Sequence, residues 1–163
     1  MILTSKEDFE NAILKGEKIK TSTVFYTGEL AEVETLEIEK PEIGAVIEKG
    51  GHKGIYAGEY ERKPLVLSLE NLPEQKKFDD AIKSAPKGWR IPNRIEWLIM
   101  LENKEKLNCA LKAAGGKKLS ENDCYWSSSE YDTYAAWIVT AGDGYVAHGS
   151  KDNGHYVRCV LAF

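Results

Sequence analysis

The 163-residue sequence has no apolar run long enough to cross a membrane as a helix. It has no excess of positive charge either. Its 22 Lys and Arg stand against 26 Asp and Glu, a formal net charge of −4, which argues against a nucleic-acid partner, since that needs a basic face. Cysteine is scarce: Cys109, Cys124 and Cys159 are an odd number without a close pair. That spacing argues against a disulfide framework and a paired-cysteine zinc site. The three are read as reduced thiols, Cys159 as a core residue, and nothing local supports a Cys124–Cys159 bridge. His52, His148 and His155 are too scattered for a zinc motif. Ser127-Ser128-Ser129 lacks the Gly-x-Ser-x-Gly elbow of a hydrolase. Gly142-Asp143-Gly144 is followed by neither Lys-Ser/Thr nor a helix start, so it reads as a turn and not a phosphate loop. No metal and no cofactor are expected. Repeats, low-complexity tracts and interdomain linkers are also missing. Met1 to Asp8 carries no signal-peptide pattern, and synthesis in the cytoplasm is the expectation.

What is present is the composition of a soluble globular protein, 42% apolar and 29% charged. The length allows one good core and a small additional subdomain. Ser5 to Asp8 fits a helix start, with Phe9, Ala12 and Ile13 at helical spacing and Gly16 as the stop. Thr21 to Tyr26 is β-rich, and Leu30 to Glu39 reads as a two-faced strand with a solvated row of Glu. Pro41 and Gly50-Gly51 then punctuate the chain, so residues 1–50 are read as a small N-terminal α/β appendage and 51–163 as the main domain.

In the main domain, Gly54 to Ala57 and Leu65 to Leu69 read as strands. A helix is expected from Pro73, with Phe78, Ala81, Ile82 and Ala85 on one face. Asn93 followed by Glu96 is a capping box, with Ile95, Leu98 and Ile99 as the expected buried stripe behind it. Arg90 is expected to form a structural ion pair. Leu107, Ala110, Leu111 and Ala114 continue a helix after a break, and Gly115-Gly116 caps it. The last third reads as a meander: Ala135 to Thr140, an Asp-Gly turn, Tyr145 to His148, a turn at Lys151 to Gly154, and a closing run to Leu161. In that run Val157, Cys159 and Leu161 share one face, Tyr156 and Arg158 the other.

Gly88-Trp89-Arg90-Ile91-Pro92-Asn93-x-x-Glu96-Trp97, then Tyr125-Trp126-Ser127-Ser128-Ser129-Glu130, Ala136-Trp137-Ile138-Val139 and Tyr156-Val157-Arg158-Cys159-Val160 resemble a C-type lectin-like domain family of bacteriophages and gut bacteria. The resemblance runs from about Gly54 to Phe163. It implies an α+β C-type lectin-like fold, two helices packed on small antiparallel sheets, with Trp89, Trp126 and Trp137 largely buried. It also implies a non-catalytic module that binds a surface glycan or a protein receptor through a C-terminal loop face. Such a module is compatible with display on a phage particle or encoding by a prophage, and with a homo-oligomer. The Glu-Pro-Asn, Gln-Pro-Asp and Trp-Asn-Asp triplets of calcium-dependent sugar binders are absent. A rival resemblance, to the formylglycine-generating sulfatase-activating enzymes, needs two redox cysteines a few residues apart, and this chain offers none. A purely structural or assembly role is the other alternative.

The residues expected to contact a ligand are Tyr131, Asp132, Tyr134, Tyr145, His148, Asp152, Asn153 and His155. Tyrosine supplies rigid contact area on such a face, and Asp and Asn supply adaptable hydrogen bonds.

Overall fold

The buried carboxylate of Glu96 fixes the middle of the chain. A computed structural model describes residues 18–19 and 38–161. The chain divides into two compact units, Met1–Glu42 and Ile43–Phe163. In the smaller, β1 (Lys18–Ile19) and β2 (Ile38–Glu39) pair antiparallel. The helix expected after Ser5, the strand expected at Thr21 to Tyr26 and most of the one from Leu30 lie outside the described residues.

The larger unit is α+β with antiparallel sheets. Its strands are β3 (Val46–Lys49), β4 (His52–Tyr60), β5 (Lys63–Asn71), β6 (Trp89–Arg90), β7 (Cys124–Glu130), β8 (Ala135–Thr140), β9 (Val146–Ser150) and β10 (Arg158–Leu161). Its helices are α1 (Phe78–Ser84), α2 (Arg94–Glu102) and α3 (Lys104–Ala113). One sheet has the order β3-β4-β5-β10-β6, the other β7-β8-β9. β4 and β5 are joined at Glu61-Arg62, both with positive φ (50° and 62°). A two-residue hairpin favours that conformation, yet it costs a non-glycine residue roughly 1 kcal/mol or more. The β4–β5 register shifts between Tyr56 and Gly58. Gly58 has φ +126°, and a Cβ there would lie 3.1 Å from Ile99 Cγ2, so the bulge lets α2 approach the strand.

The main core lies among Ile55, Leu65, Leu67, Trp97, Met100, Leu107, Leu111, Tyr125, Val139 and Val160. A second cluster gathers Phe78, Ala81, Ile91, Trp126, Ala136, Val157 and Cys159. The capping box is present: the Asn93 side chain accepts from Glu96 N at 2.9 Å, and Glu96 Oε2 accepts from Asn93 N at 2.8 Å. Arg90 donates to both Glu96 oxygens at 2.6 Å, the expected ion pair. α3 follows a break at Asn103 and ends with Gly115 N bonded to Lys112 O and Gly116 N to Leu111 O. Gly115, at φ +76°, supplies the left-handed residue this paired closure requires.

Four expectations need correction. The first helix begins at Phe78, not at Pro73, and Ile82 on it is 42% exposed. The buried face of α2 is Glu96, Trp97 and Met100, while Ile95 and Leu98 are exposed. The closing run does not complete the meander. β10 enters the five-stranded sheet between β5 and β6, and all four of its residues are buried. Of the tryptophans expected inside, Trp126 is fully buried but Trp89 and Trp137 only half so, and Trp97 takes the deep position.

Arg158 is the charged residue inside this buried run. It is fully buried. Nη1 donates to Asn71 Oδ1 at 2.9 Å, and Nη2 donates to Leu69 O at 2.9 Å and Lys117 O at 2.7 Å. Burial lowers its pKa to about 10. The guanidinium thus ties β10 to β5 and to the segment after α3.

Urea unfolding tests these roles. Asn93→Ala is expected to cost about 1 kcal/mol, an ordinary cap loss. Glu96→Gln is expected to cost about 2–3 kcal/mol, because a buried partner of a charged pair is removed while Arg90 keeps partial access to water. Equal costs for the two would show that the ion pair contributes nothing beyond the cap.

Candidate functional site

β8 and β9 pair with Trp137 opposite His148. Opposed residues of an antiparallel pair share a face, so the two rings emerge together. Their centroids are 6.2 Å apart, edge to face. Tyr131, in the turn after β7, stacks on His148 at 4.1 Å with 5° between the planes, and meets Trp137 edge to face at 5.2 Å. The Arg94 guanidinium lies over the Trp137 ring at 4.5 Å. Arg94 is placed by the start of α2, where its backbone N–H donates to Ser129 Oγ at 3.1 Å. The result is a three-ring cluster with a cation on one side. Such faces attract apolar or aromatic ligand surface and hydrogen-bonding groups.

The turn that carries Tyr131 is braced by Asp132. Its Oδ1 accepts from Tyr134 N and Ala135 N, both at 2.7 Å. Asp132 therefore shapes the face from below. Tyr134 is 81% exposed beside it. Asp152 lies at 3.4 Å from Lys77 Nζ, both well exposed, and Asn153 closes its turn through N–H to Ser150 O. Lys151 pairs with Glu130 and donates to Thr133 O at 3.0 Å, which holds the two turns together.

Of the eight expected residues only Tyr131 and His148 are in the ring cluster; Asp132, Tyr134, Asp152 and Asn153 lie on the turns around it, and Tyr145 and His155 lie apart. Tyr145 is exposed, but it lies at the other end of the β8–β9 ladder, three residues before His148 and on the alternate side of the strand. Asp143 holds that turn by accepting from the Thr140 hydroxyl and from Tyr145 N, and these bonds lower its carboxyl pKa. His155 is half-buried with its ring edge on Trp126 at 4.6 Å, and its backbone bridges Lys76. Conversely, Arg94 and Trp137 belong to the cluster and were not read as surface residues. The available signal was Trp137 in a strand that returns opposite a polar His148.

The three cysteines are free. Burial raises the Cys124 thiol and pushes Cys159 up to about 11. Among the described residues, no three His, Cys, Asp or Glu gather as a metal site. No described helix is long and apolar enough to cross a membrane.

His155 generates a pH prediction. Desolvation holds its pKa below the ordinary 6.5, so folding favours the neutral ring. The associated stability is full above about pH 6.5 and is lost as pH falls through that value toward the folded pKa, because the unfolded chain binds the proton first. Urea midpoints should therefore drop between neutral and mildly acidic pH, and His155→Gln should flatten that drop. A slope unchanged in the variant would assign the effect to other groups.

A family model described as the Lcl C-terminal domain matches residues 69–161. No curated protein matches the chain.

Proposed function

The chain belongs to the Lcl C-terminal domain family, and from that premise we propose that it is a non-catalytic binding module for a surface glycan or a protein receptor. The observation that carries this reading is the ring cluster of Tyr131, Trp137 and His148 beside Arg94, with Tyr134 projecting next to it. Rigid aromatic side chains on a braced turn lose little entropy on binding, which is why such residues dominate interface energetics. A C-type lectin-like fold is part of the proposal. Its support is the order of the tryptophan-rich motifs and the packing of helices on antiparallel sheets. Display on a phage particle, and assembly as a homo-oligomer, extend the same proposal.

The reading leaves out catalysis of the sulfatase-activating kind. That chemistry needs an accessible thiolate with a partner in reach. Cys159 is instead 2% exposed and resists ionisation, and Cys109 and Cys124 lie on different elements.

A binding screen against glycans and host surfaces, followed by substitution, tests the proposal. Tyr131→Ala and His148→Ala are expected to weaken binding at least about tenfold. Tyr134→Ala is expected to weaken it while changing stability by less than about 0.5 kcal/mol, since the ring is free of the core. A ligand that binds with unchanged affinity to all three variants would place the site elsewhere.

A further inference from the structure

A cavity of about 440 Å³ is lined by the β4–β5 hairpin tip, α1, β6, Ser128 of β7 and the start of α2. That volume is in the range of small-molecule sites. None of Tyr131, Trp137, His148 or Arg94 lines it. Its charged lining residues are Glu61, Lys63, Arg90 and Glu96. Arg90 and Glu96 satisfy each other in a two-bond pair. That leaves one carboxylate, Glu61, and one ammonium, Lys63, at the mouth, both exposed and two residues apart. Lys63 has no ion-pair partner among the described residues. The Glu61 carboxylate beside Tyr60 raises the phenol's pKa and keeps acceptor capacity of its own.

The remaining wall is apolar. Ile82 is 42% exposed here, and Trp89 is half-buried with its indole N–H donated to His52 Nδ1 at 3.0 Å. The bond to His52 fixes the Trp89 ring and directs its polar atom out of the cavity. The hairpin tip sets where the carboxylate stands. Glu61 and Arg62 both hold the left-handed backbone that Asn and Gly adopt with less strain. The two-residue hairpin requires that backbone, and it sets the Glu61 side chain in the cavity lining.

We propose that this cavity is a binding site for a small zwitterion, an α-amino acid with an apolar side chain. Its ammonium group is read by Glu61, its carboxylate by Lys63, and its side chain packs on Ile82 and Trp89. The balance of one free charge of each sign selects against polyanions and polycations, and the apolar wall selects against small polar amino acids.

The test is an NMR titration of the full chain with L-leucine and with two charge-blocked probes, N-acetyl-L-leucine and L-leucinamide. L-leucine is expected to shift the Trp89 indole N–H resonance, assigned by its loss in Trp89→Phe. Each blocked probe is expected to bind at least about tenfold more weakly, the usual scale for losing a charge-assisted contact. Glu61→Gln should abolish discrimination between L-leucine and its N-acetyl form, and Lys63→Met should abolish discrimination against the amide. The proposal is overturned if L-leucine leaves the Trp89 resonance unmoved, if the blocked probes bind equally well, or if discrimination survives both substitutions. None of these outcomes bears on the receptor face, whose variants lie elsewhere in the chain.

Discussion

The carboxylate of Glu96 is 2% exposed and accepts three hydrogen bonds, two from Arg90 and one from Asn93 N. A buried carboxylate without such partners would cost several kcal/mol, so its position constrains whatever it touches. It sets β6, the turn through Pro92 and the rotation of α2 together. With Glu96 turned inward, Trp97 and Met100 fall into the core, and Ile95 and Leu98 remain partly exposed. A stripe reading from apolar spacing alone favours the opposite rotation. Apolar area alone leaves the two rotations close, and the charge of Glu96 decides between them. An aromatic ring of Trp97's size buries roughly 150–250 Å², worth about 4–6 kcal/mol at 25 cal/mol per Å², against about 1.5–3 kcal/mol for each aliphatic residue fully buried. The observed rotation buries the ring and satisfies the charge at once.

Local chemistry was legible in the residues. The capping box, the helix break, the closure at Gly115 and the Asp-Gly turn are each decided within a few positions, and each is where the sequence places it. Non-local pairing was not. The closing run was expected to complete the meander, but β10 lies between β5 and β6. Both faces of β10 are covered, and Arg158, the polar residue in the run, gives its two Nη atoms to Asn71, Leu69 and Lys117 while its Nε has no partner. No pattern inside a short run reports that acceptors from distant segments will converge on it. Alternation distinguishes a half-buried strand well and a central one poorly.

The candidate face was legible in kind and less so in membership. Tyr, Asp, Asn and His on turns marked the region, and of the residues chosen Tyr131 and His148 meet. Asp132 and Asp143, however, bond the backbone of their own turns, as Asx residues commonly do. Their chemistry is that of a contact residue, and their geometry is that of a brace. His155 stands apart from the rings for a different reason: Lys76 pairs its backbone on the strand-like approach to β10, which carries its ring to Trp126. A polar residue near a turn stays outside only if the chain that follows stays outside.

The ring cluster and the cavity meet at one point in the chain. Ser129 Oγ accepts from Arg94 N beneath the cluster, while its neighbour Ser128 lines the cavity with Asn93 and Glu96. The start of α2 therefore supports both surfaces. It could transmit a signal between them only by changing its own geometry, and a transmitted signal requires an element with two arrangements of similar energy. The capping box and the two-bond ion pair oppose that, because a half-turn slip of α2 would strand a buried carboxylate. The same interaction that organises the fold thus separates its two surfaces, and substitutions on one should add to those on the other without coupling.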